Sequence, residues 1–196
     1  MKTITLNDGD FEIACNALAE KMLMSGDFSA LVGVRTGGVM VANMVYNNFK
    51  KKSKNVKYFK VGASRYGTST KNASSIKKVF KFLPESILNA LRVIEYYLVR
   101  LRMKLFKNVD RTISFDKELV DYLKKTTTGK VYVIDDAIDS GATVKSILDT
   151  CRSINSFIQY KVAVLVVTQN KPIVSPDICL YENVLLRFPW SADFKS

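Results

Sequence analysis

Three carboxylates followed by a turn of small and hydroxylated residues form the stretch of the sequence best suited to chemistry. Asp135, Asp136 and Asp139 precede residues 140–143, Ser-Gly-Ala-Thr. Small residues at the start of a helix let an anion approach unpaired backbone N–H groups and the positive end of the helix dipole. Carboxylates beside such a turn would repel a phosphate unless they serve hydroxyl groups or a Mg²⁺ ion. The pattern therefore predicts a ligand that carries phosphate, hydroxyl groups and metal together.

The residues on either side of this stretch predict the elements that must position it. Residues 131–134, Val-Tyr-Val-Ile, have the character of a buried strand, and Val144, Ile147 and Leu148 have helical spacing. The carboxylates would therefore lie in the loop between a strand and a helix. The alternative is an ordinary strand-to-helix connection in another kind of α/β domain, where an Asp beside Ser merely caps the helix.

A second unit of strand, loop and helix occurs earlier in the chain. Residues 28–34 predict a buried strand, and residues 33–38, Gly-Val-Arg-Thr-Gly-Gly, lead from it into a helix. Gly37 and Gly38 let the backbone come close to a ligand, and Arg35 adds a fixed positive charge with forked donors. Taken alone, this loop is also compatible with a plain glycine-rich turn.

Residues 135–143 resemble the PRPP-binding motif of the type I phosphoribosyltransferases, in which two acidic residues precede an acidic residue, Thr or Ser, Gly, any residue and Thr. Residues 33–38 resemble the loop that contacts pyrophosphate in that family, and the two motifs occur in the family's order, about a hundred residues apart. The chain looks closest to the purine salvage enzymes that use hypoxanthine, guanine or xanthine. This resemblance implies an α/β fold with a mainly parallel sheet flanked by helices and a C-terminal hood.

The resemblance also implies a reaction and a role for each site residue. A nucleobase nitrogen would attack C1 of PRPP in the presence of Mg²⁺, giving a nucleoside monophosphate and pyrophosphate. Asp139 would be the general base, and Asp135 and Asp136 would bind the ribose hydroxyls and, with Mg²⁺, form the metal-ligand shell. These carboxylates would bind PRPP together with the residues that hold its 5-phosphate, Ser140, Gly141, Ala142 and Thr143. The pyrophosphate would be held by Arg35, Thr36, Gly37 and Gly38.

A third strand is predicted over residues 55–63, and the stretch that follows is too rich in Gly, Ser and Thr to form core. In the resembled family a flexible loop follows this strand and closes over the transition state. Here it would open with Ser64, Arg65 and Tyr66, where Arg65 is inserted relative to the family pattern. Such a closure would keep water away from the reactive ribosyl centre.

The hood at residues 171–196 would hold the base, and its details depart from the family pattern. Thr168 stands where a base-reading Lys is expected, and Lys171 would substitute for it. Ser191 stands where an acidic residue is often found, and Asp193 would supply that carboxylate. The resemblance assigns base binding to Lys171, Leu185 and Trp190. The alternative for Phe188 and Trp190 is that they are core aromatics.

Residues 77–125 depart most from a minimal member of the family and are interpreted as a helical insertion. Pro84 opens a helix at residues 84–107, and a short helix is expected at residues 115–123. Residues 77–111 hold nine basic and three acidic residues, a net charge of +6. Three readings of the long helix stay open: packing on the domain with a solvated basic face, a homodimer or partner-protein helix, and contact with nucleic acid or a membrane surface. Its apolar seam has heptad spacing and consists of Ile87, Leu91, Ile94, Leu98, Leu101 and Leu105.

The composition narrows the class of protein. The 196 residues fit a single domain over residues 1–196. Because the chain has no His, Ser-His-Asp catalysis and His-ligated zinc are excluded, and acid–base chemistry must use carboxylates, Lys, Tyr or a metal. The net charge of +12 suits polyanionic partners or a Lys-rich surface without one. With no signal peptide and no apolar run of membrane-spanning length, we expect a cytoplasmic protein.

The alternative to a transferase is a protein of the same fold that keeps PRPP or nucleotide binding and serves as a regulator or nucleic-acid partner. Thr168 and the basic insertion favour this alternative. The three carboxylates oppose it, because a structural domain has no need of such a cluster beside a phosphate loop.

Overall fold

The computed structural model describes residues 1–65, 83–105 and 111–194. In these ranges the chain forms strands β1 (Lys2–Thr5), β2 (Ala30–Val34), β3 (Lys57–Arg65), β4 (Arg111–Phe115), β5 (Gly129–Ile138), β6 (Ile158–Val167), β7 (Ile178–Glu182) and β8 (Val184–Arg187). The helices are α1 (Asp8–Met24), α2 (Gly37–Lys51), α3 (Glu85–Leu105), α4 (Lys117–Lys125) and α5 (Ala142–Ile154). None of these helices has the length and apolar character that crossing a membrane requires.

Six of the strands form one sheet in the order β4-β3-β2-β5-β6-β7. Neighbouring strands in it are parallel except for β3 and β4, which are antiparallel. Strands β1 and β8 form a separate parallel pair. The predicted α/β fold with a mainly parallel sheet flanked by helices is thereby confirmed.

Helices cover both faces of the sheet because its central strands are apolar on both sides. In β5, Tyr132 and Ile134 pack into one core cluster with α1 and α2, whereas Val131 and Val133 pack into a second cluster with α4 and α5. All four side chains are at most 1% exposed. A parallel strand that is covered on both faces needs such a continuous apolar run.

The pairing of β2 with β5 decides which loops meet. In this pair Ala30 lies opposite Val131 and Gly33 lies opposite Ile134. Because the two strands run in the same direction, the loops that follow them emerge at the same edge of the sheet. The fold therefore brings together the two loops that the sequence predicts to bind a ligand.

Two segments differ from the structure predicted for them. Within residues 77–125, interpreted as helical, β4 pairs with β3, and its Ile113 and Phe115 pack against the second core cluster. Residues 112–115, Thr-Ile-Ser-Phe, alternate polar and apolar side chains with the period of a strand. The helix expected at residues 115–123 begins later, at Lys117. In the predicted hood, β7 joins the main sheet beside β6, and β8 pairs with β1.

The long helix α3 lies where the sequence predicts it, but its apolar seam does not pack on the domain. Leu88 is 2% exposed, whereas five seam residues are 41–60% exposed: Ile87, Leu91, Ile94, Leu98 and Leu101. Heptad spacing identifies one stripe of a helix, and it does not identify what covers that stripe. The helix itself packs on the domain through Leu88, Arg92 and Tyr96, while what covers its exposed seam is not determined by this packing. Contact of this helix with a second copy, a partner protein or nucleic acid stays a prediction.

Truncation of two leucines in α3 distinguishes its packed side from its exposed side. We expect Leu88→Ala to lower the free energy of unfolding by about 2–5 kcal/mol, because it leaves a cavity at a buried position. Leu98→Ala changes a side chain that is 60% exposed and should change that free energy by about 0.5 kcal/mol or less. Urea unfolding followed by circular dichroism measures both. Equal losses would show that the seam also packs on the domain.

Candidate active site

The start of α2, which follows the loop after β2, is in direct contact with the C-terminal part of β5. A methyl group added to Gly37 would overlap the Asp136 carboxylate. One added to Gly38 would lie 2.6 Å from the Ile134 carbonyl oxygen. Neither space admits a side chain, so glycine is required for this approach. Two motifs about a hundred residues apart in the sequence thus form one site.

Asp135 and Asp136 belong to β5 itself rather than to the loop after it, and both are half-buried. The Asp136 backbone N–H donates to Asp135 Oδ1 at 3.0 Å, and the Ala137 N–H donates to Asp136 Oδ1 at 3.0 Å. Burial, with the charge of Asp136 as a further cause, raises the pKa of Asp135 well above its ordinary value. Burial also raises the pKa of Asp136. A cation or hydroxyl donors beside this pair would stabilise its ionised form.

The turn after β5 leads into α5, whose first residues are Ala142 and Thr143. Gly141 precedes the helix with φ +79°, a left-handed conformation that favours glycine. Ser140 Oγ accepts a hydrogen bond from the Ala142 N–H at 3.3 Å. Since the first N–H groups of a helix have no carbonyl partner within it, this end of α5 suits a phosphate.

Arg35 and Thr36 connect β2 to α2, which begins at Gly37, and the peptide bond between them is cis. The Arg35 backbone N–H donates to the Val61 carbonyl oxygen at 2.9 Å, which ties the loop to β3. The Arg35 guanidinium lies 3.9 Å from the Asp116 carboxylate, and both side chains are more than half exposed. Exposed ion pairs of this kind are weak, so an anion can compete for the guanidinium.

Asp139 lines a cleft of about 230 Å³ at the same end of the sheet. Asp139 Oδ1 accepts a hydrogen bond from Thr168 Oγ1 at 2.5 Å, which orients the carboxylate. The other lining residues come from the sheet edge, the segment around β8 and helix α3: Ala137, Val166, Gln169, Leu185, Leu186, Phe188, Arg92, Glu95 and Tyr96. A planar ring in this cleft would lie between apolar side chains with a carboxylate beside it.

The family model of the phosphoribosyl transferase domain matches residues 5–184. The chain belongs to this family. It is therefore a phosphoribosyltransferase, an enzyme of the glycosyltransferase class. A comparison with curated proteins finds no match.

Three solved structures share the fold of this phosphoribosyltransferase. A purine phosphoribosyltransferase from Pyrococcus horikoshii is 16% identical with a TM-score of 0.63, over 100% of this chain and 98% of that one. A Helicobacter pylori xanthine-guanine-hypoxanthine phosphoribosyltransferase is 13% identical with a TM-score of 0.57, over 96% and 92%. A hypothetical protein from Neisseria gonorrhoeae with bound ppGpp is 17% identical with a TM-score of 0.59, over 96% and 89%. The resemblance to the purine members, expected from the motifs, is confirmed at the level of the fold.

The three residues expected to open a flexible loop lie at the end of the first described range. Ser64 and Arg65 are the last two residues of β3. Tyr66 lies outside the described residues. The role of this loop in the phosphoribosyltransferase stays a prediction.

The three residues expected to bind a base lie in different places. Leu185 lines the cleft together with Asp139. Lys171 lines a neighbouring cavity of about 370 Å³. Trp190 stacks on Phe188 with 4.8 Å between ring centroids, and it packs against the first core cluster. The geometry therefore favours a base contact for Leu185, while Trp190 has the surroundings of a core aromatic.

Asp193, expected to supply a carboxylate to the base, is bound by two arginines instead. Its Oδ2 accepts from Arg187 Nε at 2.9 Å, and its Oδ1 accepts from Arg92 Nη2 at 3.1 Å. Both oxygens accept hydrogen bonds in internal ion pairs, and a contact of Asp193 with the base stays a prediction. The sequence holds no local sign of this pairing, because Arg92 lies 101 residues away.

Sequence reasoning did not identify the cleft residues of α3. Arg92, Glu95 and Tyr96 follow the spacing i, i+3 and i+4, which places them on one side of a helix. This polar side was visible in the sequence. The apolar periodicity, however, identified the seam on another side of the same helix.

A double-mutant cycle tests the contact between Gly37 and Asp136. Gly37→Ala should lower the free energy of unfolding by about 1–3 kcal/mol, because the methyl group overlaps the Asp136 carboxylate. In an Asp136→Ala background that carboxylate is absent, and we expect most of the loss to disappear. Urea unfolding of the wild type, both single variants and the double variant gives the coupling. Additive effects would contradict a direct contact.

The raised pKa of the half-buried Asp135 predicts how the stability of the protein without ligand depends on pH. A carboxyl group whose pKa is raised on folding keeps its proton in the native state at pH values where the unfolded chain has lost it. The free energy of unfolding should therefore fall as the pH rises from about 4, the ordinary pKa of Asp, through the raised pKa of Asp135. Asp135→Asn should flatten this dependence in urea unfolding. Asp149→Asn, at an exposed position of α5, is the control, and an unchanged slope in Asp135→Asn would refute the assignment.

Proposed function

We propose that this phosphoribosyltransferase transfers the 5-phosphoribosyl group of PRPP to a ring nitrogen of a purine base. A bond forms between that nitrogen and C1 of the ribose, the bond from C1 to pyrophosphate breaks, and a nucleoside monophosphate is released. The observation that carries the proposal is the contact of Gly37 and Gly38 with Asp135 and Asp136, next to the starts of α2 and α5. Two anion-binding loops with carboxylates between them match a ligand that has a phosphate at each end and ribose hydroxyls in the middle.

Each loop takes one anionic end of PRPP. The start of α5 binds the 5-phosphate through the turn formed by Ser140, Gly141, Ala142 and Thr143. The start of α2 binds the pyrophosphate through Arg35, Thr36, Gly37 and Gly38. Backbone N–H groups at a helix start and a guanidinium both form strong hydrogen bonds to phosphate oxygens.

Mg²⁺ fits this site together with the substrate rather than alone. Among the described residues, no group of three or more His, Cys, Asp or Glu side chains could hold a metal ion. Mg²⁺ is commonly bound by one or two carboxylates plus substrate phosphates, and Asp135 and Asp136 offer that pair of oxygen donors. We assign these two residues to the ribose hydroxyls and the Mg²⁺ shell. When bound, the ion neutralises the charge that develops on the leaving pyrophosphate.

Asp139 acts as the general base. The Thr168 hydroxyl donates to one of its oxygens, which leaves the other oxygen for the N–H of the attacking ring. A carboxylate within hydrogen-bond reach of that proton can accept it as the bond to C1 forms. The apolar side chains of the cleft, Leu185 among them, keep water away from the ring.

The proposal also covers the pathway, the compartment and the oligomeric state of the enzyme. The resemblance to purine members supports a role in purine salvage in the cytoplasm. The exposed seam of α3 supports a homo-oligomer, because a row of exposed apolar side chains is typical of an interface.

Pyrophosphate release tests the proposal. The protein is incubated with PRPP, Mg²⁺ and one base at a time: hypoxanthine, guanine, xanthine, adenine or uracil. We expect release with at least one purine, and a fall of about 10²–10⁴-fold in kcat for Asp139→Asn, which cannot accept the proton. Asp149→Asn, exposed on α5, is the matched control and should keep full activity. PRPP binding without turnover for any base would contradict the proposal and favour the regulatory alternative.

A further inference from the structure

One wall of the cleft beside Asp139 comes from a helix that carries none of the motif residues. Helix α3 contributes Arg92, Glu95 and Tyr96 to this wall. The Tyr96 hydroxyl donates to the Thr168 carbonyl oxygen at 3.2 Å, and Leu88 packs the helix against the domain with 2% exposure. The position of α3 beside the cleft is therefore fixed by both polar and apolar contacts.

The cationic groups near the cleft are directed away from a base. Arg92 donates to the Leu186 carbonyl oxygen at 2.8 Å, and to Ser191 Oγ and Asp193 Oδ1 at 3.1 Å each. Lys171 lines the neighbouring cavity. Thr168, at the position where a base-reading Lys was expected, donates its hydroxyl proton to Asp139. A carbonyl group of a base therefore meets no ammonium group among the residues that line this cleft.

The groups that remain to face a base are mainly hydrogen-bond acceptors. The carboxylates of Glu95 and Asp139 can only accept, whereas the Gln169 amide can both donate and accept. The charge of Glu95 interacts with that of Arg92, but the hydrogen bonds of this guanidinium go to Leu186, Ser191 and Asp193. Tyr96 uses its proton on the Thr168 carbonyl oxygen, so its phenolic oxygen presents lone pairs. The acceptor groups of Glu95, Asp139 and Tyr96 favour a ligand whose facing edge carries N–H donors.

We propose that Glu95 selects purines that carry an exocyclic amino group, whose N–H its carboxylate accepts. This inference rests on the proposed function, because it names the class of purine that enters the site. Glu95 is exposed in the protein without ligand, so its carboxylate is hydrated there. A purine without the amino group displaces that water and leaves the charge without a donor. Sites with such polar groups discriminate strongly against analogues that lack the matching hydrogen bond.

Comparison of guanine, adenine and hypoxanthine tests the inference. Guanine differs from hypoxanthine by an added amino group, and adenine has an amino group in place of the carbonyl oxygen. We expect kcat/KM for at least one amino purine to exceed that for hypoxanthine by about 10- to 100-fold, the effect of one hydrogen bond to a charged group. Glu95→Ala should reduce this ratio to nearly one, mainly by lowering kcat/KM for the amino purine.

Two further variants distinguish recognition from a structural effect. Glu95→Gln keeps an acceptor oxygen without the charge, so its ratio should lie between those of the wild type and Glu95→Ala. Glu118→Ala removes an exposed carboxylate from α4 and should leave the ratio unchanged. A preference for amino purines that survives in Glu95→Ala, or no such preference in the wild type, overturns the inference.

Binding of the nucleotide products separates failure of this inference from failure of the proposed function. Calorimetric titration with GMP, AMP and IMP measures the same preference without turnover. If no base supports pyrophosphate release but GMP or AMP binds more tightly than IMP, and Glu95→Ala abolishes that preference, the proposed function fails and the inference stands. Equal binding of the three nucleotides, or no binding of any, overturns the inference.

Discussion

The close approach of Gly37 and Gly38 to Asp135 and Asp136 is the constraint on which the rest of the site depends. The parallel pairing of β2 with β5 sets their ends at one edge of the sheet, and the missing side chains of Gly37 and Gly38 let the start of α2 touch β5. This approach leaves two adjacent carboxylates partly buried, with raised pKa values. Buried charge is unfavourable unless it is neutralised or hydrogen-bonded. A ligand that brings hydroxyl groups and a cation relieves this cost, so the apoprotein is already suited to such a ligand.

A second cluster of polar contacts, around Arg187, holds α3 and the C-terminal segment beside the cleft. Arg187 is 2% exposed and donates to Asp193, Asn89 and Thr5. These partners lie in the C-terminal segment, in α3 and in β1, so one guanidinium joins three parts of the chain. Loss of one partner would leave a buried charge incompletely satisfied, which is strongly destabilising. Helix α3, interpreted from the sequence as an insertion, is therefore an integral part of the cleft.

The sequence predicted those parts of the structure whose determinants are local. The apolar run at residues 131–134 and the turn after it are sufficient to identify β5, α5 and a phosphate loop. Strand β4 was missed because its five residues follow a long helix with a stronger periodic signal. The core position of Trp190 matches the alternative that its aromatic character allowed. The partners of Asp193 could not be predicted, because they depend on residues distant in sequence. Contacts across the fold, rather than local patterns, decide which hood residues face the cleft.

In the proposed function, transfer and base selection lie on different elements of this phosphoribosyltransferase. The groups assigned to PRPP follow β2 and β5, whose apolar side chains fill both core clusters. A shift of either strand would disturb the whole sheet, so these loops tolerate little change. Helix α3 reaches the domain through a few side chains and leaves its seam exposed. Substitutions on its cleft side would alter the wall that contacts a base without moving the sheet. A cleft built from a sheet edge and a separate helix would therefore allow acceptor preference to change while the proposed chemistry at C1 of PRPP stays the same.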